Sequence, residues 1–235
     1  MPDAILNAVF SDRSGSFRHT GPMRRGLTIL AVGLLVGATA LQATESTVVT
    51  FADARPGTLP AGFRILSSRP DEPGNWRVER IESTPALVQS DLGRRGYRLA
   101  ILDRPSLADV HVGVRLRMGS GDRAAGVAWR VQDAGTYYAA RLDLDERELV
   151  LYKFVRGNRV RLDRLTDLRL AANRWYNLLV EHKGTTIRVW LNGIPVAHQD
   201  DDSVTAAGSL GFWMPGDGTA AFERLWYRPL HADAR

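Results

Sequence analysis

Between Gly126 and Leu165 apolar and charged residues alternate through four short runs separated by three turns. Successive side chains of a β-strand point to opposite faces, so this alternation demands a half-buried antiparallel sheet. The runs are Gly126–Gln132, Thr136–Leu144, Glu148–Val155 and Arg159–Leu165, broken by turn formers such as Asp133-Ala134-Gly135 and Arg156-Gly157-Asn158.

The same grammar continues on both sides. Strand-like runs precede this block at Trp76–Glu79, Leu87–Gln89, Arg98–Leu102 and Asp109–Met118. Others follow at Trp175–Lys183, Thr186–Leu191, Pro195–Gln199, Ser209–Met214 and Ala220–Arg228. Asn192-Gly193 between two alternating runs predicts a two-residue hairpin turn. A short helical segment is expected over Asp167–Asn173, the one interruption of an otherwise all-β pattern. Many short strands at regular spacing predict a sandwich or a barrel.

Parity assigns faces. Val110, Val112, Val114, Leu116 and Met118 oppose His111, Arg115 and Arg117. Val127, Trp129 and Val131 oppose Arg130 and Gln132; Tyr138, Ala140, Leu142 and Leu144 oppose Tyr137, Arg141 and Asp143. Ile187, Val189 and Leu191 oppose Arg188 and Trp190. One face is therefore apolar, and its reverse carries arginine with scattered aromatics. Trp76, Trp129, Trp175, Trp213 and Trp226 are expected in the core, because aromatics dominate sandwich interiors.

A leader precedes the strands. Met23-Arg24-Arg25 is followed by the apolar run Leu27–Ala43, which has the layout of a secretory signal peptide. Cleavage is expected after Ala43, with Ala40 as the alternative. The competing reading is an uncleaved anchor, since the apolar run approaches the length that spans a bilayer, with its arginines left in the cytoplasm. Residues 1–22 fit neither reading and are expected to be a non-native extension, with translation starting at Met23. Both readings place the domain outside the cytoplasmic membrane, either free in the periplasm or medium or anchored facing outward.

Of 235 residues, 31 are basic and 26 acidic, and the first 43 residues hold four arginines and two acids. The exported part is thus only slightly basic, which argues against a nucleic-acid partner. The absence of cysteine excludes thiol nucleophiles and thiolate metal sites. A core, not disulfides, must hold the domain together, and about 190 residues suffice for one.

Several segments together resemble a known family. They are Gly126-Val127-x-Trp129-Arg130-x-Gln132-Asp133, Tyr137-Tyr138-x-x-Arg141, Leu151-Tyr152-Lys153 and Gly157-Asn158-Arg159. Trp175, the Asn192-Gly193 hairpin, Ala207–Trp213 and Ala221–Leu225 fit as well, and Gly74–Glu79 resembles the family's first core strand. The family is the 3-keto-disaccharide hydrolase-like domains of the concanavalin A-like lectin/glucanase superfamily, and the resemblance spans Phe51 to Pro229. It implies a jelly-roll β-sandwich of two antiparallel sheets over residues 48–230, with carbohydrate as the usual ligand. The chain departs from the family at Glu223-Arg224, where acidic residues usually follow the Phe.

The hydrolytic chemistry of that superfamily needs two carboxylates, ~5–5.5 Å apart for retention or ~6.5–9.5 Å for inversion. The nearest stretch is Asp143-Leu144-Asp145-Glu146-Arg147-Glu148, where Arg147 stands in place of a third acid. It reads as solvated turn acids. Asp200-Asp201-Asp202 offers oxygen ligands for Ca²⁺ without the rest of a metal motif, and the histidines show no ligand spacing, so no metal or cofactor is expected.

What remains is the arginine face. Guanidinium groups hold carboxylates or sulfates bidentately, and aromatic rings offer a platform to sugar C–H faces. The face is read either as a solvated basic surface or as a binding surface for an acidic glycan. In the second case the ligand-binding residues are Arg115, Arg130, Tyr137, Arg141 and Trp190. The leading functional expectation is an exported, non-catalytic, lectin-like module whose partner is carbohydrate, an anionic polysaccharide if the arginine face is the binding surface. A glycoside hydrolase acting on (3-keto-)disaccharides through Asp143 or Asp145 is the alternative. A scaffold binding another envelope protein through a sheet edge is the third reading.

Overall fold

A computed structural model describes residues 45–91, 95–121 and 123–230, all within the compact unit Gln42–Arg235. The expectations for residues 1–43 lie outside the described residues. The first strands are β1 (Thr47–Thr50), β2 (Phe63–Ser67), β3 (Trp76–Ile81), β4 (Thr84–Gln89) and β5 (Tyr97–Leu102). The middle of the chain gives β6 (Val110–Gly121), β7 (Ala124–Asp133), β8 (Thr136–Asp143), β9 (Glu148–Val155) and β10 (Asn158–Leu165). The last are β11 (Trp175–Lys183), β12 (Thr186–Leu191), β13 (Ile194–Asp200), β14 (Ser209–Pro215) and β15 (Gly218–Pro229). No helix occurs among the described residues. Over Asp167–Asn173 the expected helical segment is a loop instead, because Leu168 and Leu170 pack onto the core and the Tyr176 hydroxyl engages both backbone groups of Ala171.

The strands form two antiparallel sheets in a jelly-roll sandwich. One has eight strands, in the order β13-β12-β11-β6-β15-β4-β3, with β1 pairing the second half of β15. The other has seven, in the order β10-β9-β8-β7-β14-β5-β2. The alternating block that dominates the sequence is a meander, β7 to β10, at one side of the seven-stranded sheet. The Asn192-Gly193 hairpin joins β12 to β13, with both residues at positive φ (50° and 81°) as a tight turn of this kind requires.

Between the sheets lies the main core. Phe63, Phe212 and Phe222 run through its middle, with Phe63 stacked on Phe212 at 5.9 Å and Phe212 packed on Phe222 at 4.4 Å. Each such side chain stabilises the fold by ~1.5–3 kcal/mol on burial. Tyr138, Ala140, Leu142 and Leu144 face this core as parity predicts. Val131 does not: a bulge at Arg130, whose φ is +48°, shifts the register of β7 and turns Val131 to the opposite side of the sheet.

A polar tie crosses the core at one end. Trp129 Nε1 on β7 donates to His182 Nδ1 on β11 (2.9 Å), and the Trp129 ring stacks on Tyr138 at 5.7 Å. The Tyr138 hydroxyl donates to Asp201 (2.6 Å), which also receives Lys153 Nζ (2.6 Å). The tie thus binds β7, β8 and β9 to β11 and to the loop after β13.

Candidate functional site

The seven-stranded sheet is apolar on both faces. Away from the main core, β2, β5, β14, β7, β8 and β9 bury a second cluster that includes Leu99, Ile101, Ala139, Val150, Tyr137, Tyr152, Phe154 and Trp213. Tyr137 stacks on Phe154 at 4.3 Å, and Tyr97 stacks on Trp213 at 5.3 Å and meets Phe154 edge-on. Trp213 Nε1 donates to the Tyr137 hydroxyl (3.3 Å), so the one polar handle of the indole is satisfied inside the layer. Burial pushes the Tyr137 hydroxyl pKa up, and the group stays a neutral member of the layer.

Arginine lies over these rings. The Arg159 guanidinium sits 5.7 Å from the Tyr97 ring centre and 5.1 Å from that of Tyr152, and Arg141 sits 5.6 Å from Tyr152. Such contacts hold the guanidinium planes in place at ~0.5–1 kcal/mol each. Arg141, Arg159 and Arg95 then converge with Tyr97, Trp213 and Asp217 around a cavity of ≈260 Å³. Its wall is the meeting of two loops, where Gly216 N donates to Gly96 O (2.8 Å) and the buried Arg98 donates to Gly216 O (2.5 Å).

The charges around the cavity are unequal. Arg141 is held by Asp143 (3.0 Å) and Glu148 (2.5 Å), two acids directly opposite each other on β8 and β9; Glu148 also receives Arg164. Arg141 Nε is buried without a hydrogen-bond partner among the described residues. Arg95 and Arg159 have no carboxylate partner among them either. The cavity thus presents two guanidinium groups in no direct ion pair, with Asp217 as its one acid, beside the half-buried Tyr97 ring, an arrangement suited to a ligand with a carboxylate or sulfate on a ring that has an apolar face.

The five residues expected from parity do not share one surface. Arg141 lines the cavity, and Tyr137, fully buried, supports the aromatic layer beneath it. Arg130 is interior: it is 1% exposed, and its guanidinium donates to Ala108 O (2.7 Å), Val204 O (2.9 Å), Gly184 O (2.9 Å) and Asp109 (3.3 Å). The bulge that gives Arg130 its left-handed φ swings the side chain to the end of the sandwich, where it closes three backbone carbonyls instead of facing a ligand.

Arg115 and Trp190 lie on the outer face of the other sheet. Arg115 pairs with Glu223 (2.7 Å) and covers Trp175 at 5.4 Å. Arg117 pairs with Glu82 (2.8 Å) and Arg188 with Glu181 (2.7 Å). Trp175 and Trp226 are half-buried on that face too, not in the core, whereas Trp213 is fully buried in the second apolar cluster, as expected of a core residue, and touches the cavity from there. Trp76 and Trp129 are core residues as expected.

The acids considered for catalysis and metal binding have other partners. Asp145 sits in the exposed turn after β8 and is ion-paired with Arg123, whose hydrogen bond lowers its pKa. Asp143 accepts from the backbone N–H groups of Asp145 and Glu146 (both 2.9 Å) as well as pairing with Arg141. Burial alone would raise the pKa of Asp201, but Lys153, Tyr138 and Ser203 donate to it and bring it down to about 2. Among the described residues no group of three or more His, Asp or Glu is placed to hold a metal ion.

Arg95, Tyr97, Arg159, Trp213 and Asp217 complete the site beyond the residues parity singled out. Arg159 carried a visible signal, standing in the arginine alternation of β10. Trp213 did not, because Ser209–Pro215 is buried along its whole length and shows no alternation.

No protein-family model matches the chain, and no curated protein matches it in sequence. Solved structures do resemble it in fold. The carbohydrate binding module CBM66 from Bacillus subtilis is 22% identical with a TM-score of 0.56, over 69% of this chain and 92% of that one. The exoplasmic/lumenal domain of VIP36, in a Ca²⁺/Man-bound form, is 12% identical with a TM-score of 0.57, over 80% and 91% of the two chains. The Bacillus licheniformis beta-glucanase is 10% identical with a TM-score of 0.57, over 81% and 100%. The likeness is one of fold, a jelly-roll β-sandwich of two antiparallel sheets.

Proposed function

We propose that this domain binds carbohydrate without transforming it, and that its ligand carries an acidic group. The observation that carries the reading is the ≈260 Å³ cavity bounded by Arg95, Arg141 and Arg159 and by the stacked pair Tyr97–Trp213. Its volume lies just under the ~300 Å³ lower end of small-ligand pockets, so it takes one sugar unit. The half-buried Tyr97 ring, backed by the fully buried Trp213, meets the ring C–H groups, and Arg95 and Arg159 receive the carboxylate or sulfate. That structures named as a carbohydrate binding module and as a mannose-bound form share the fold supports the same reading by analogy only.

The second reading, a hydrolase like the 3-keto-disaccharide enzymes, rests on Asp143 and Glu148, which stand opposite each other beside the cavity. Against it, both carboxylates are committed to Arg141. The leader-like run Leu27–Ala43, read as a signal peptide or an anchor, supports a domain working outside the cytoplasmic membrane as part of the same proposal.

The test is an array of neutral and acidic glycans probed with the full chain and with Arg159→Ala, an exposed side chain. A charge-assisted pair contributes ~1.5–3 kcal/mol, so the variant should lose about tenfold or more in affinity for acidic glycans. No retention of any acidic glycan, or retention indifferent to Arg159, sinks the proposal. Release of reducing ends from a bound disaccharide, lost in Asp143→Asn, would establish the hydrolase instead.

A further inference from the structure

The cavity holds one unit, yet the arginines do not stop at its edge. β10 is the edge strand of the seven-stranded sheet, and its outer-face positions continue the site. Arg159 stands opposite Phe154, Arg161 opposite Tyr152 and Arg164, beyond a bulge, opposite Val150. Phe154, Tyr152 and Val150 all belong to the aromatic and apolar layer that floors the cavity. All three arginines therefore lie on the cavity's own face of the sheet, and all three are exposed.

Their charges are not spent alike. Arg164 pairs with Glu148, whereas Arg159 and Arg161 have no carboxylate partner among the described residues. Alternate residues of a strand are ~6.8 Å apart, so Arg161 carries positive charge onward from Arg159 at a fixed spacing along the strand. Arg159 belongs to both features: it lines the cavity and heads the ladder. A site for a lone charged sugar has no use for Arg161, which lies one spacing beyond the cavity wall.

We infer that the ligand is a polyuronate and not an isolated acidic sugar. One uronate unit occupies the cavity, and the chain continues along the outer face of β10, where Arg161, free of the acids that hold Arg164, receives the carboxylate of a following unit. The inference rests on the cavity reading given above and adds a second subsite to it. Arg161 is a binding residue of that subsite alone.

The test measures affinity by titration calorimetry with the full chain, using galacturonate and mannuronate as monomers and as oligomers of increasing length, with neutral malto-oligosaccharides as the control. An exposed ion pair is worth up to ~1 kcal/mol, or about fivefold, so the added pair at Arg161 should give up to about fivefold tighter binding of an oligomer spanning both subsites. Arg161→Ala should remove most of that gain and leave monomer affinity unchanged, and added salt should shrink the gain as surface charges are screened. Equal affinity for monomer and oligomer, a gain that survives Arg161→Ala, or the same gain with the neutral series overturns the ladder while the cavity reading stands. No binding of any uronate, monomer or oligomer, overturns the ladder, and the cavity reading falls with it only if the glycan array also retains no acidic glycan.

Discussion

His182 makes the domain acid-sensitive by an amount that can be worked out. The ring is fully buried on β11, accepts from Trp129 Nε1 at Nδ1 (2.9 Å), and meets Tyr138 edge-on at 5.1 Å. Burial, and then the nearby charge of Arg130, hold its pKa down to about 3, against 6.5 for a free imidazole. Below the unfolded value the unfolded chain takes up a proton that the native state refuses. Stability is therefore fully present above pH 6.5 and falls as the pH drops toward about 3. The slope approaches ~1.4 kcal/mol per pH unit, and between about pH 6 and about pH 4.5 the loss integrates to about 2 kcal/mol.

His182→Asn keeps a carbonyl oxygen for the Trp129 donor and removes the titrating group. Urea unfolding followed by tryptophan fluorescence at about those two pH values should give a variant whose stability changes by about 2 kcal/mol less than that of the wild type. Parallel pH profiles for the two proteins would refute the reasoning. Asp201, held at about 2, acts with the same sign but only below the ordinary carboxylate value of 3.8, outside this window.

Other expectations follow from the same contacts. Arg130→Ala takes the guanidinium from three backbone carbonyls and leaves Asp109 with the Gly184 N–H but no cation, and should cost ~3–5 kcal/mol in urea unfolding while the folded fraction keeps its affinity for glycan. Gly126→Ala should cost about 3 kcal/mol or more by the same measurement, since a Cβ there would strike the Ala140 carbonyl on the neighbouring strand. Burial raises the pKa of both Tyr137 and Tyr138, so in an alkaline ultraviolet titration these two of the six tyrosines should ionise only when the domain unfolds.

Alternation revealed the meander of β7 to β10 with its faces, because those strands each have one side turned to the main core and one turned away. It could not say which sheet a strand joins. Arg115, Arg188 and Arg141 each stand opposite the apolar residues of their own strand, yet the first two ride β6 and β12 in one sheet and the third rides β8 in the other. Nor could it see the bulge at Arg130, since a left-handed arginine has no sequence mark like that of Asn192-Gly193. β14 hid its functional side chain for the opposite reason. Both faces of its sheet are apolar, so Phe212 in the core and Trp213 at the cavity read alike. β1 and β2 are only four and five residues long, too short to show a period.

The pairing of β1 with β15 sets Thr47 against Tyr227 as neighbours in one sheet. Strands nearly two hundred positions apart in the chain thus run side by side, about 4.8 Å from axis to axis. A domain of this design is suited to transplantation: it can be spliced into an exposed loop of a host protein without prising the host apart. A short linker joining those two strands would also allow the chain to be reopened at the β12–β13 hairpin, giving a permuted domain whose cavity and β10 ladder are untouched.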